Sequence, residues 1–470
     1  EGANLGTTQA GRIAFALNGG RINTDFIDNS AGVDCSDNEV NIKIALAAAQ
    51  QSGRLTPKKR NNLLERMTDE VSGIVLEDNR LQALALSIAE MGGVKATASH
   101  VRLIEKLEEM DALDRKTEGL ADQETYSRRA SEGKGLTRPE LAVLLSSAKL
   151  VLQDAIEAAD WISDKALEPM LIEAFPVALQ KDFRKQILTH QLRNELIATK
   201  LANRMINRLG LIHPFELAEE EGVSLAQIAA SFVVIEELLE MDQVWQAIES
   251  GDMPETARLK LLERTAAAMS SHMADLLRHG GTGFAPSELI KSLTRGIGQL
   301  EKHSGDLLTE TARERSAELC QHFVELGAPK TAAGKVVHLF EVDGSIGLAG
   351  LARDSGISPE VLTEAFTQLG SKLGLDWAQQ TAEDMAPSDP WERLLVNGLA
   401  RDFQHMRLDF LRRRANRKAG PVAAVEHWLS SRAASVSQFR SMIGRAQLHT
   451  PVAPAVLAQI AIQARNLLER

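Results

Sequence analysis

Apolar residues recur at helical spacing along most of the chain. Leu188, Leu192 and Leu196 form one stripe, Ile197, Leu201 and Met205 a second, and Phe232, Ile235, Leu238 and Leu239 a third. Amphipathic stretches over 58–91 and 101–111 read the same way, and the polar, glycine-broken stretch 113–135 reads as partly helical or loose. Thr56-Pro57 is a cap followed by proline at the first helical position, and Thr137-Arg138-Pro139-Glu140 is a capping box. Breaks between helices are expected at 210–214, 280–286, 327–334, 343–347 and 386–390. No period-two alternation appears after Leu55, so 54–470 should contain essentially no sheet.

The first 53 residues have another texture. Residues 1–4 read as a strand end opening into a loop. Thr7 or Thr8 caps a helix ending near Leu17, where Asn18-Gly19-Gly20 stops it. Arg21–Ile27 alternates polar and apolar positions and predicts a strand; Asn29-Ser30-Ala31-Gly32 turns the chain. The following helix places Val40, Ile44, Ala47 and Ala48 on one face. Strand end, helix, strand, helix is the order at the end of a doubly wound α/β domain.

Composition sharpens this picture. Of 470 residues, 44% are hydrophobic and 25% charged, an ordinary balance for a folded chain with room for several cores. One Tyr and 13 Phe beside abundant Ala and Leu favour helices over sheets. The net charge of -11 argues against coating nucleic acid, because phosphate binding is driven by Lys and Arg. Two cysteines, Cys35 and Cys320, make no disulfide framework and suggest a reducing, cytoplasmic setting. No apolar run is long enough for a membrane span. The start at Glu1, without Met, reads as a fragment or processed product.

Asn4 and Asn29 fall at two turns on the same edge of the expected sheet, where dinucleotides and substrates bind in open α/β folds. An amide both donates and accepts, which suits a ribose hydroxyl or a carboxamide. Ser36 lies in a first helical turn, where free N–H groups favour a carboxylate. Taken alone, these residues are read more simply as turn formers.

Longer runs carry more. Glu1-Gly2-Ala3-Asn4, Gly20-Arg21-Ile22-Asn23-Thr24-Asp25 and Asn29-Ser30-Ala31-Gly32-Val33-Asp34-Cys35-Ser36-Asp37 resemble the end of the cofactor domain of large NAD-specific bacterial glutamate dehydrogenases. Asn38 departs from the histidine of that pattern. Weaker likeness covers 138–145 and 192–203. The resemblance implies a mainly α fold, with a short Rossmann-type α/β remnant over 1–53, a helical segment over 54–150 closing the catalytic region, and a helical domain over 151–470. It implies NAD as cofactor, L-glutamate and 2-oxoglutarate as partners, and a homo-oligomer. Asn4 and Asn29 would then contact the nucleotide or substrate, and Ser36 the side-chain carboxylate of glutamate. The nucleotide turn and the catalytic Lys and Asp would lie upstream of Glu1, leaving no catalytic residue in this chain. The rival is a non-catalytic helical module that retains a dehydrogenase stub.

Other signals read as structure. The turns at 217–224 and 351–358 resemble helix-turn-helix corners, but the helix after Ser224 carries no Lys or Arg. His279-Gly280-Gly281-Thr282-Gly283 lacks the Lys-Ser/Thr of a phosphate loop, and the 11 histidines show no metal spacing. Cys35 has no neighbouring base. The basic run 407–418 and the stretch 209–257, which lacks any Lys or Arg before Arg258, are expected to attract one another.

Overall fold

A computed structural model describes residues 6–279, 283, 285–387, 389–414, 420–449 and 451–469. The chain divides into two compact units, one of residues 1–218 with 223–233, the other of 219–222 with 234–470. No strand occurs among the described residues.

In the first unit, α1 (Gln9–Leu17) starts at Thr8, whose hydroxyl accepts from Gly11 N. It is followed by α2 (Asp25–Asp28), α3 (Ser30–Gln51), α4 (Pro57–Arg66), α5 (Thr68–Met91), α6 (Thr97–Glu109) and α7 (Gln123–Ser131). Two long helices, α8 (Arg138–Glu157) and α9 (Arg193–Leu209), pack along each other and form the centre of this unit. Their facing rows include Leu141, Leu144 and Ala148 on α8 with Ile197, Leu201 and Met205 on α9, all buried. Thr56 caps α4, and the Thr137–Glu140 capping box starts α8.

Two expectations for 1–53 fail. Arg21–Ile27 is not a strand: residues 20–24 are irregular and the chain turns into α2. An isolated strand would leave its ladder N–H and C=O groups without partners, whereas Thr24 O here accepts from Ile27 N and Asp28 N. Side chains reinforce the turn: Asn23 Nδ2 donates to Asp28 Oδ1 at 2.6 Å, and Asp25 pairs with Arg12 at 3.2 Å. The Rossmann-type remnant is therefore not seen among the described residues. The buried face of α3 is also a different one. It consists of Asn38, Ile42, Ala45, Leu46 and Ala49, which pack on α5 and on Arg184–Leu188, while Val40, Ala47 and Ala48 are exposed. An Ala-rich helix carries two apolar stripes, and tertiary packing selects between them.

The second unit is built around α10 (Glu255–Arg278), α11 (Ser345–Ser355), α12 (Pro359–Leu373), α13 (Leu375–Asp384) and α14 (Pro390–Arg414). Leu362, Leu369, Phe403, Phe410 and Trp428 lie in one core, with Phe410 and Trp428 edge-on at 4.8 Å. The expected attraction between the acidic stretch and the basic helix is met in part by Arg401 on α14, which pairs with Glu220 and Glu221. Arg407 instead bonds Asp376 and Gln379 on α13, Arg412 pairs with Asp409 at 2.8 Å, and Arg414 stacks on Phe410. Arg417 and Lys418 lie outside the described residues. Glu221 also binds Arg278 at 2.7 Å.

Candidate functional site

The first unit contains a cleft of about 590 Å³ between the start of α3, α5, α8 and α9. Asn79 on α5 fixes its mouth, donating to Ile27 O at 3.0 Å and to Ser30 Oγ at 2.8 Å across the α2–α3 junction. Arg138, at the head of α8, ties down the preceding irregular segment through Asn23 and also bonds Ala83 O at 2.8 Å and Ser87 Oγ at 3.1 Å. His190 contacts Asn41 O at 3.1 Å, bracing the middle of α3. Burial lowers its pKa, which keeps the ring neutral around pH 7.

Asn29 stands at the mouth of this cleft, between α2 and α3. Its Oδ1 would lie 3.0 Å from a Cβ on Gly32, so glycine leaves that amide room. Asn4 lies outside the described residues. Ser36 does not share the cleft. The cleft face of α3 carries Asp34, Asp37, Asn38 and Asn41. Two residues advance a helix by about 200°, which turns Ser36 to the opposite side from Asp34. There it is exposed, near Val40, which is 50% exposed. Contrary to expectation it is not in a first helical turn: α3 starts at Ser30, so Ser36 lies in the second turn, its hydroxyl 3.5 Å from Gly32 O. Cys35 is exposed and unbridged.

The polar floor of the cleft was not singled out by the sequence. Asp78 on α5 pairs with Lys200 on α9 at 2.7 Å. Asp34 lies beside Asp78; burial first, then the Asp78 charge, raises its pKa. Asn38 Nδ2 donates to Asp34 Oδ1 at 3.0 Å. Lys149 on α8 has Gln82 Oε1 at 3.5 Å as its hydrogen-bond partner among the described residues. Burial drives its pKa down to about 8. The one sequence signal for these lysines was their place in or beside the 138–145 and 192–203 runs. Among the described residues, no three His, Cys, Asp or Glu side chains gather as a metal site, and no helix is long and apolar enough to cross a membrane.

Comparison with known proteins covers most of the chain. The family model described as glutamate dehydrogenase, C-terminal, matches residues 133–469. That described as bacterial NAD-glutamate dehydrogenase, catalytic domain, matches residues 1–89. The NAD-specific glutamate dehydrogenase of Halomonas elongata is 32% identical over 435 residues, 92% of this chain and 27% of that protein. Its Pseudomonas aeruginosa counterpart is 31% identical over 94% of the chain and 28% of its own length. That of Mycobacterium tuberculosis is 30% identical over 84% of the chain and 24% of its own length. The chain thus spans about a quarter of the length of these relatives.

Proposed function

Because the chain belongs to the glutamate dehydrogenase C-terminal family, we propose that it serves as part of an NAD-dependent enzyme that oxidatively deaminates L-glutamate to 2-oxoglutarate and ammonia. Residues 1–53 contribute one wall of the catalytic site, and the helical remainder serves assembly or regulation in a cytoplasmic homo-oligomer. NAD, when bound, supplies the hydride acceptor. The groups of this chain that meet nucleotide or substrate are Asn4, Asn29 and Ser36, while hydride transfer and iminium hydrolysis depend on residues outside it.

The observation that carries this reading is the outer face of α3. Val40 is exposed there, on the same side as Ser36, in a segment that matches a catalytic-domain model. Burying this valine against a partner surface is worth roughly 1.5 kcal/mol or more. An apolar patch beside an exposed hydroxyl suits one wall of a substrate site.

Ser36→Ala in the full-length enzyme is the test. A hydrogen bond to a charged carboxylate is worth about 1.5–3 kcal/mol, so kcat/KM for glutamate should fall roughly 10- to 150-fold. The carboxylate is equally charged in ground and transition states, so most of the loss should appear in KM. Affinity for NAD should stay level. Asn29→Ala should act differently, weakening NAD or slowing the hydride step. If neither variant changes these constants, residues 29–37 do not line the substrate site, and the stub reading takes their place.

A further inference from the structure

Asn29 belongs to neither of the helices that meet at it. It ends α2, a single turn, and starts α3, with backbone φ -102° and ψ 15°. One turn of helix does not support itself, because ordering it costs more than its first hydrogen bond returns. The direction in which the Asn29 amide points is therefore set by what holds this corner from outside. Asp25 is paired with Arg12 at 3.2 Å and Asp28 with Asn23 at 2.6 Å, both partners coming from the segment just upstream. A tie from the helical body comes from Asn79, in the middle of α5. Its amide nitrogen carries two hydrogens and uses both, on Ile27 O at 3.0 Å and on Ser30 Oγ at 2.8 Å. One acceptor precedes Asn29 and the other follows it, so a single planar group spans the corner. Asn79 is not among the residues that line the cleft, whereas Asn29 is.

We propose that Asn79 is a positioning residue of the dehydrogenase, its amide holding the α2–α3 corner so that Asn29 is presented correctly, which rests on the reading of Asn29 as a contact of nucleotide or substrate. Asn79 touches no reactant in this arrangement. Its effect passes through Asn29 and should not exceed that of removing the Asn29 amide. The loss should also fall in the same constant, KM or kcat, as that of Asn29→Ala. A misplacement of about 1 Å in a reacting geometry is enough to cost on the order of 100-fold in rate.

The experiment is a double-substitution cycle in the full-length enzyme, with Asn79→Leu, Asn29→Ala and the two together. Leucine keeps the approximate volume, favours the helix and removes both donors. Two hydrogen bonds lost together correspond to roughly 5- to 150-fold, so kcat/KM should fall within that range and no further than in Asn29→Ala. In the Asn29→Ala background, Asn79→Leu should change kcat/KM less than about twofold, because the group it positions is gone. A merely structural role would act equally in both backgrounds. Ser30→Ala deletes one acceptor only and decides the matter where Asn79→Leu does not fold. It should lose roughly 2- to 13-fold and be equally silent beside Asn29→Ala. Full activity of folded Asn79→Leu beside an impaired Asn29→Ala enzyme, or losses that simply add, would overturn the positioning role and leave the reading of Asn29 standing. If Asn29→Ala is itself silent, the reading of Asn29 fails and the positioning role with it.

Discussion

Replacing Glu140 with alanine is expected to destabilise the first unit by about 3–5 kcal/mol, the usual loss when one partner of a buried ion pair is removed. Glu140 is fully buried at the head of α8. Its carboxylate accepts from Thr137 N and Thr137 Oγ1 at 2.7 Å, from Arg129 Nη1 at 2.8 Å and from Tyr126 Oη at 3.1 Å. Burial first, then the Glu140 charge, pushes the Tyr126 phenol up, so it remains an O–H donor at neutral pH. Alanine would strand all four donors, among them a guanidinium whose side chain is only 14% exposed. For a unit of this size each kcal/mol moves Tm by roughly 2–4 °C, so melting should fall by about 6–20 °C. Glutamine keeps the shape and one acceptor and should lose less. A Glu140→Ala chain melting within a degree of the parent would show that α8 does not need its capping box.

The second large effect concerns Asp275 on α10, and it is expected to depend on pH. The side chain is 2% exposed; Oδ2 accepts from Gly347 N at 2.9 Å, and Oδ1 lies 2.9 Å from His279 Nδ1. Burial opposes the carboxylate charge, but the hydrogen bond and charge of His279, aided by Gly347 N–H and His272, outweigh it and lower the Asp275 pKa. Burial likewise opposes a charged His279, and the Asp275 carboxylate outweighs that and raises the histidine. The signs follow from linkage. A raised histidine stabilises fully below its unfolded value of 6.5 and stops doing so as pH rises through its folded value. A lowered aspartate stabilises above its unfolded value of 3.8 and stops doing so as pH falls through its folded value. The pair therefore contributes most between about pH 4 and 6.5. Asp275→Ala should cost about 3–5 kcal/mol at pH 6, since it removes the counter-charge of the buried His279, whose Nδ1 keeps only Asp275 O at 2.7 Å, and leaves the Gly347 amide without its acceptor. His279→Gln should flatten the decline in Tm expected of the parent as pH rises above 6.5. Parallel melting curves for parent and His279→Gln across that range would contradict the pairing.

Local chemistry is what the sequence made legible. The caps at Thr8, Thr56 and Thr137 involve donors and acceptors within three residues, so the motif and its partner are written side by side. The helical body after Leu55 follows from periodicity in the same way. Arg21–Ile27 misled because alternation stabilises a strand only where a ladder partner exists, and the turn at Thr24 satisfies the same backbone locally. The buried side of α3 was equally undetermined: both its stripes are apolar, and contact with α5 chooses between them. Of the candidate site residues, Asn29 reached a cleft and Ser36 turned away from it. Lys149, Asp78 and Asn79 went unnoticed because their meaning arises only when α3, α5, α8 and α9 come together. In the sequence, Lys149 is a single charge among apolar neighbours on a long helix.

If the proposed role holds, this chain supplies one wall, and not the chemistry, of an NAD-dependent glutamate dehydrogenase. The most direct measurement is glutamate-dependent formation of NADH by the 470-residue chain alone and by the same chain continuous with its upstream coding sequence. No turnover above background is expected for the chain alone, and glutamate-specific turnover for the longer protein. NADH formation by the chain alone, or a longer protein that leaves glutamate and NAD unchanged, would contradict it.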